Sequence, residues 1–325
     1  MNFLPLQPDQ LRQFIDAETV FVALEQARRT ASEVRGSMFW RTEKGRDYLV
    51  RASSQAAQKR LGSRNLETEG IFARFIQRKT EAELRVKTLQ EAAERNRRVN
   101  LALRVGRCPN LLVSILDRFD RAGISEHFLT VGTHALYAYE TAAGVRVMPG
   151  ALATQDVDLL FDTRKRVSFM TRLAENDLSL IDILRKVDKT FAVKEDQLQT
   201  AVNATGFEVD VIRRTAKDGD PHPLRMSHKD DDFWAVQVDS GDTMVSSERF
   251  SQVIVSTDGS MARMTTFSPA AFVRLKRKLS TSPSRDPLKK SKDALQAEIV
   301  QELIETHMIE VRGKWPLAEP RNQTL

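Results

Sequence analysis

The chain has 325 residues, 41% of them hydrophobic and 29% charged, with a net charge of +6, ordinary values for a globular protein with room for two domains. No apolar run approaches the roughly 18–20 residues that span a bilayer, and the first residues lack the basic and long apolar stretches of a leader. A lone cysteine, Cys108, allows no internal disulfide, and the five scattered histidines lack zinc-ligand spacing. A membrane role, a disulfide scaffold and thiolate metal chemistry are therefore excluded as expectations, and a cytoplasmic location is expected.

Charge is unevenly placed. Residues 1–107 carry 21 Lys and Arg against 13 Asp and Glu, a balance of +8, and the remaining 29 against 31 leave −2. Such asymmetry suits a basic arm holding a polyanion near an acidic site; its bland counterpart is a solvated basic helix.

Residues 9–35 read as a helix, with Leu11, Phe14, Ile15, Val20 and Leu24 at helical spacing and Gly36 as its stop. Two strand-like runs follow, joined through Glu43-Lys44-Gly45-Arg46 as a hairpin. Trp40 and Tyr48 there flank Arg41, Arg46 and Arg51, a set suited to stacking on bases or to packing on neighbouring helices. Residues 67–105 read as one long basic helix, stopped by Gly106 and Pro109, and residues 110–123 as an amphipathic helix leading into a first core strand.

That strand opens the segment LTVGTHALYAYE, in which Gly132-Thr133 precedes a helical stretch with Leu136, Tyr137 and Tyr139. A Gly-Thr turn before a helix offers backbone N–H groups and a hydroxyl to a phosphate. Next comes TQDVDLLF, where strand alternation puts Asp156 and Asp158 on one face and Val157 and Leu159 on the other. Two acids projecting together repel unless a cation lies between them, and Mg²⁺ with a nucleoside triphosphate is the common partner.

Helices are predicted over 164–176 and 178–187, and strands over 190–193 and 199–202. A further strand, GFEVDVIR, carries Asp210, whose bland reading is a strand end or turn cap. Two-metal nucleotidyl transfer uses three carboxylates in this order. Residues 215–232 read as a mobile surface insertion, with Asp230–Asp232 as a solvated turn. Residues 252–267 then form a hairpin around Asp258-Gly259, and Ser268-Pro269 starts a helix. The last fifteen or so residues read as a tail.

These residues resemble the minimal, polymerase-beta-like nucleotidyltransferase superfamily: Gly-Ser/Thr, then Asp-x-Asp, then one Asp on a neighbouring strand. The segment FSPAAFVRLKRKLSTSPSRDPLKKSKDALQAEIVQELI is similar to the helical tail of abortive-infection-type nucleotidyltransferase toxins. Most of the chain, including WRTEKGRDYLVR, KRLGSRNLETE and RDPLKKSKD, resembles a little-characterised bacterial family of nucleotidyltransferase-fold proteins. One departure is the single Gly before Thr133, where many members carry Gly-Gly or Gly-Ser.

The resemblance implies an α+β fold: a mixed β-sheet nucleotidyltransferase core over 108–265, a basic and mainly helical region with a β-hairpin over 1–107, and a helical part with a tail over 266–325. It implies a metal site of Asp156, Asp158 and Asp210 taking Mg²⁺ or Mn²⁺, and an NTP co-substrate. Gly132 and Thr133 would steady the β- and γ-phosphates, and Lys276 would contact the triphosphate, its alternative being a surface charge. Arg285, Lys289 and Lys292 would neutralise the rest of the phosphate chain, with Asp293 positioning one of them. The acceptor hydroxyl is left open among an RNA 3′ end such as that of tRNA, a protein and a small molecule. The RNA partner rests on the basic N-terminal segment, and a toxin reading would add a cognate antitoxin. A non-catalytic nucleotide- or RNA-binding module is the rival class.

Overall fold

The computed structural model describes residues 2–53, 57–152, 154–175, 177–217 and 219–307. The chain divides into two compact units. One is Arg12–Val105, and the other combines Met1–Leu11 with Gly106–Leu325.

The Arg12–Val105 unit takes most of the helix Pro8–Glu33, which buries Phe14, Phe21 and Leu24, and then Gly36 turns the chain at positive φ. Strands Ser37–Glu43 and Arg46–Ala52 pair antiparallel. Lys44 and Gly45 both take positive φ between them, the backbone that a two-residue hairpin turn demands. A third strand, Gln58–Ser63, adds to Arg46–Ala52. It escaped prediction because QKRLGS is nearly all polar and mostly exposed, so it carries no alternation. The long helix, Leu66–Ala102, starts from an Asn65 cap whose side chain and that of Thr68 reciprocally satisfy two backbone N–H groups.

The hairpin's aromatics find partners inside this unit. Trp40 packs 5.9 Å from the Phe72 ring, Arg60 lies over Tyr48 at 3.1 Å and Arg64 over Trp40 at 5.1 Å. On the long helix, Glu94 pairs with both Arg97 and Arg98.

The other unit is built on a seven-stranded mixed sheet. Asp156–Phe161 lies one in from its edge, antiparallel to the edge strand Phe128–Val131 and parallel to the central strand Glu208–Arg214. Glu208–Arg214 shares its far edge between two partners. Its first half takes Thr200–Val202 antiparallel, and its second half takes Trp234–Val238 parallel. Leu224–Arg225 and Ala192–Val193 finish the sheet. The hairpin Arg249–Val255 with Met261–Phe267 stands as a separate pair. Helices Pro269–Thr281 and Pro287–His307 share the sheet's core, Phe272, Ile299 and Leu303 being buried in one cluster with Leu159 and Val209.

A short strand that the sequence did not reveal, Phe3–Pro5, pairs antiparallel with Val145–Val147. Next to it Asn2 donates to Glu302 at 3.3 Å, and the Phe3 ring meets His307 edge-on.

The stretch 215–232 is not a free insertion at its far end. Leu224 and Met226 are buried. Asp232, expected in a solvated turn, is buried too and accepts from the backbone N–H groups of Leu180 and Ile181 at 3.0 and 2.9 Å. Its carboxylate thereby satisfies the first turn of the helix Leu180–Arg185. An acid run reads alike whether its charge meets water or a helix end, so sequence could not separate the two. Among the described residues no helix is long and apolar enough to cross a membrane, and the expected tail falls largely on 308–325, outside them.

Candidate metal and nucleotide site

The sheet register sets the acids together. Asp158 and Asp210 are Cα partners in the parallel pairing, and Asp156 lies opposite Glu208 two residues earlier. Because side chains alternate along a strand, all four carboxylates project from the same face, while Val157, Leu159 and Val209 are buried on the other. Oxygen atoms of Asp156, Asp158 and Asp210 lie within 4.8 Å of one another.

Their electrostatics follow from that crowding. Burial, then the charges of Asp156 and Asp210, push the Asp158 carboxyl up to about 6, against the opposing pull of Lys276 and Arg285. Asp210 is raised as well, first by burial and then by Asp156 and Glu208, although the Thr200 hydroxyl donates to it at 2.5 Å. Burial also presses on Asp156, but the Thr154 hydroxyl bonds it and Lys292 attracts it, so its carboxyl stays below the ordinary range. Glu208 is held by Lys194. The donor set fits a hard divalent cation: all ligands are oxygen, and a cation would offset the burial and the repulsion that keep Asp158 reluctant to ionise.

Gly132 ends the strand beside Asp158. It takes a φ of +65°, and a Cβ built there would overlap Oδ2 of Asp158, so a glycine is required on two counts. His134, next along, is buried and neutral, its ring pushed down to about 4 by burial.

The two C-terminal helices bring the cations. Lys276 is not a surface charge. It is only 6% exposed and donates to Oδ1 of Asp293 at 2.7 Å, while Arg285 donates to Oδ2 at 2.9 Å. One buried carboxylate thus holds two cations whose fields reach Asp158. Burial lowers the Lys276 pKa and Asp293 counters it. Lys292 is half-buried and feels the charge of Asp156, whereas Lys289 is exposed and bears on Lys292.

Sequence reading passed over Thr154, Thr200 and Gln296. The threonines lay in loops or short strands with no pattern to single them out. Gln296 had a signal: it follows Asp293 by three positions, one helical turn along the same face.

A model of the nucleotidyltransferase family matches residues 110–315, a span that holds every residue of the site just described. No curated protein and no solved structure matches the chain. With well over half its length matched, the chain belongs to the nucleotidyltransferase family.

Proposed function

We propose that this protein moves a nucleoside monophosphate from an NTP to a hydroxyl acceptor in a metal-dependent reaction. The acceptor oxygen bonds the α-phosphorus, the bond to the β-phosphate's bridging oxygen breaks, and pyrophosphate leaves. The observation that carries the reading is the in-register placement of Asp158 and Asp210, with Asp156 completing the cluster.

Asp156 and Asp158 would hold Mg²⁺ or Mn²⁺ on the triphosphate, and Asp210 with Asp156 would hold a second ion. When bound, the ions polarise the phosphoryl group and ease deprotonation of the attacking hydroxyl. Gly132 and Thr133 steady the β- and γ-phosphates. Lys276 and Arg285, held by Asp293, offset the negative charge of the phosphate chain, and Lys292 and the exposed Lys289 add to it from the terminal helix.

We take the acceptor to be an RNA 3′ end such as that of tRNA, supported by the +8 balance of residues 1–107. The order Lys276, Arg285, Lys292-Asp293 supports kinship with abortive-infection-type toxins, and a cognate antitoxin belongs to that same reading. Incubation with each labelled NTP and total RNA, with and without Mg²⁺, tests the whole proposal. Label should enter RNA only with metal and only with an intact Asp158. Label on the protein itself would point to a protein acceptor, and nucleotide binding without transfer to a binding module.

A further inference from the structure

Gln296 lies on the terminal helix, its side chain wholly buried, and it ties together two segments that meet at the site. Its Nε2 donates to the carbonyl of Ala151 at 2.7 Å and to Oγ1 of Thr133 at 3.1 Å. Ala151 ends the short helical turn Pro149–Ala151 upstream of the paired acids, and Thr133 sits in the turn whose glycine abuts Asp158.

The orientation of the amide is not arbitrary. A backbone carbonyl only accepts, so the nitrogen, rather than the oxygen, must face Ala151. Both amide hydrogens are then committed, one to each partner. The Thr133 hydroxyl, already accepting from Gln296, has its own hydrogen left to give. The amide oxygen of Gln296 is buried with no partner among the described residues. Leaving such an acceptor unmade costs about 1–3 kcal/mol, so the residue is not placed there for stability alone.

We infer that Gln296 is a positioning residue: it fixes the Thr133 hydroxyl as a donor aimed at a phosphate oxygen of the bound nucleotide. This deepens the reading given under the proposed function and rests on it. Terminal helix, pre-acid loop and Gly-Thr turn would then form one rigid cradle, in which Asp293 sets the cations and Gln296, one turn on, sets the hydroxyl. A hydroxyl free to rotate would give up part of its affinity in being ordered on binding.

The test is a double-mutant cycle on nucleotide affinity, independent of turnover. Binding of Mg²⁺ with α,β-methylene analogues of the four ribonucleotides would be measured for the parent, Thr133→Val, Gln296→Met and the double variant, with melting temperatures alongside. Thr133→Val should weaken binding about tenfold, the loss expected for one hydrogen bond to a charged group. Gln296→Met should approach that loss, and the double variant should be no weaker than Thr133→Val, because the amide acts through the hydroxyl. Thr133→Ser should bind like the parent and stay sensitive to Gln296→Met. If Gln296→Met does not fold, Gln296→Asn serves in the same cycle, since it draws the amide one methylene back from Thr133. Additive losses, or parental affinity in the Gln296 variant, would overturn the inference while nucleotide binding stands. A parent that binds none of the four, or binds equally after Asp158→Ala, would instead overturn the proposed function beneath it.

Discussion

The backbone of Gly132 lies against the carboxylate of Asp158, so closely that a methyl group on Gly132 would overlap Oδ2. Turn and acidic cluster are therefore one structural unit. Gly132→Ala should weaken Mg²⁺–nucleotide binding at least tenfold, because either the turn or the carboxylate has to move. Gly206→Ala is the control. Gly206 has a φ of +81° with no atom near the added methyl, so it should show the backbone cost of about 1 kcal/mol with unchanged nucleotide affinity. Equal affinity losses in both variants would mean that strain, and not contact with Asp158, is responsible.

Metal-free stability should depend on Asp158 with a defined sign. Its folded value of about 6 exceeds the ordinary 3.8, so between those values the native state binds the proton more tightly. Stability from this group is thus lost as pH rises from 4 towards 6, and the full penalty of about 3 kcal/mol applies above that. Asp158→Asn should raise the metal-free melting temperature at pH 7.5 by roughly 5 °C, and that gain should shrink at pH 5. Scanning calorimetry in chelator at both pH values decides it; a variant melting no higher than the parent at pH 7.5 refutes the repulsion.

Roles within the site should separate kinetically. Asp210→Asn should lower turnover far more than nucleotide affinity, since the proposed mechanism puts Asp210 on the acceptor's side. Lys276→Ala should weaken nucleotide affinity first. Isothermal titration beside single-turnover rates gives both numbers, and matching effects on binding would erase the division.

Asp293 should be the most costly single residue of the helices Pro269–Thr281 and Pro287–His307 to lose. Asp293→Ala strands Lys276, which is 6% exposed, without its counter-ion, and breaking such a pair costs about 3–5 kcal/mol. Adding Lys276→Met should recover much of that stability without restoring nucleotide binding. Denaturant melts would show it, and a double variant less stable than Asp293→Ala would contradict the buried-pair argument.

RNA binding by the basic segment should fall steeply with salt. Arg95 and Arg98 share a face of the long helix at i, i+3, and Arg98 is largely exposed beside Glu94, whereas Arg97 is more deeply engaged with it. Replacing Arg95 and Arg98 by Ala should lower the log–log salt slope by about 0.7–0.9 for each phosphate no longer neutralised, with Arg97→Ala mattering less. Parental RNA affinity in the paired variant at low and moderate salt would rule out the arm.

How far the sequence showed this site depended on how local each cause was. Asp156 and Asp158 declare themselves by alternation within one strand, and the Ser268 cap with Pro269 marks its helix within two residues. The pairing of Asp210 with Asp158 is a register between strands some fifty residues apart, reached only through resemblance. The burial of Lys276 was invisible, because its environment comes from Asp293 on the next helix. Phe3–Pro5 and Gln58–Ser63 were missed for a related reason: three residues, or a polar run, have no period to read. Asp232 shows the limit in reverse, where a hydrophilic run hid a buried helix cap.

The meeting of Asn2 and Phe3 with Glu302 and His307 carries a consequence for synthesis. These contacts join residues up to 300 positions apart, so an emerging chain cannot complete them until the helix Pro287–His307 has left the ribosome. At about 5–20 residues per second, the first segment waits roughly 15–60 s with its apolar Phe3 unsealed. Phe3–Pro5 can meet its strand partner once Val147 emerges, but the helical side of its seat, with Glu302 and His307, arrives much later. The proposed nucleotide cradle shares that delay, since Asp293 and Gln296 ride on the same helix. On a ribosome, Asp156, Asp158 and Asp210 therefore emerge well before Asp293 and Gln296, the residues proposed to complete the nucleotide site.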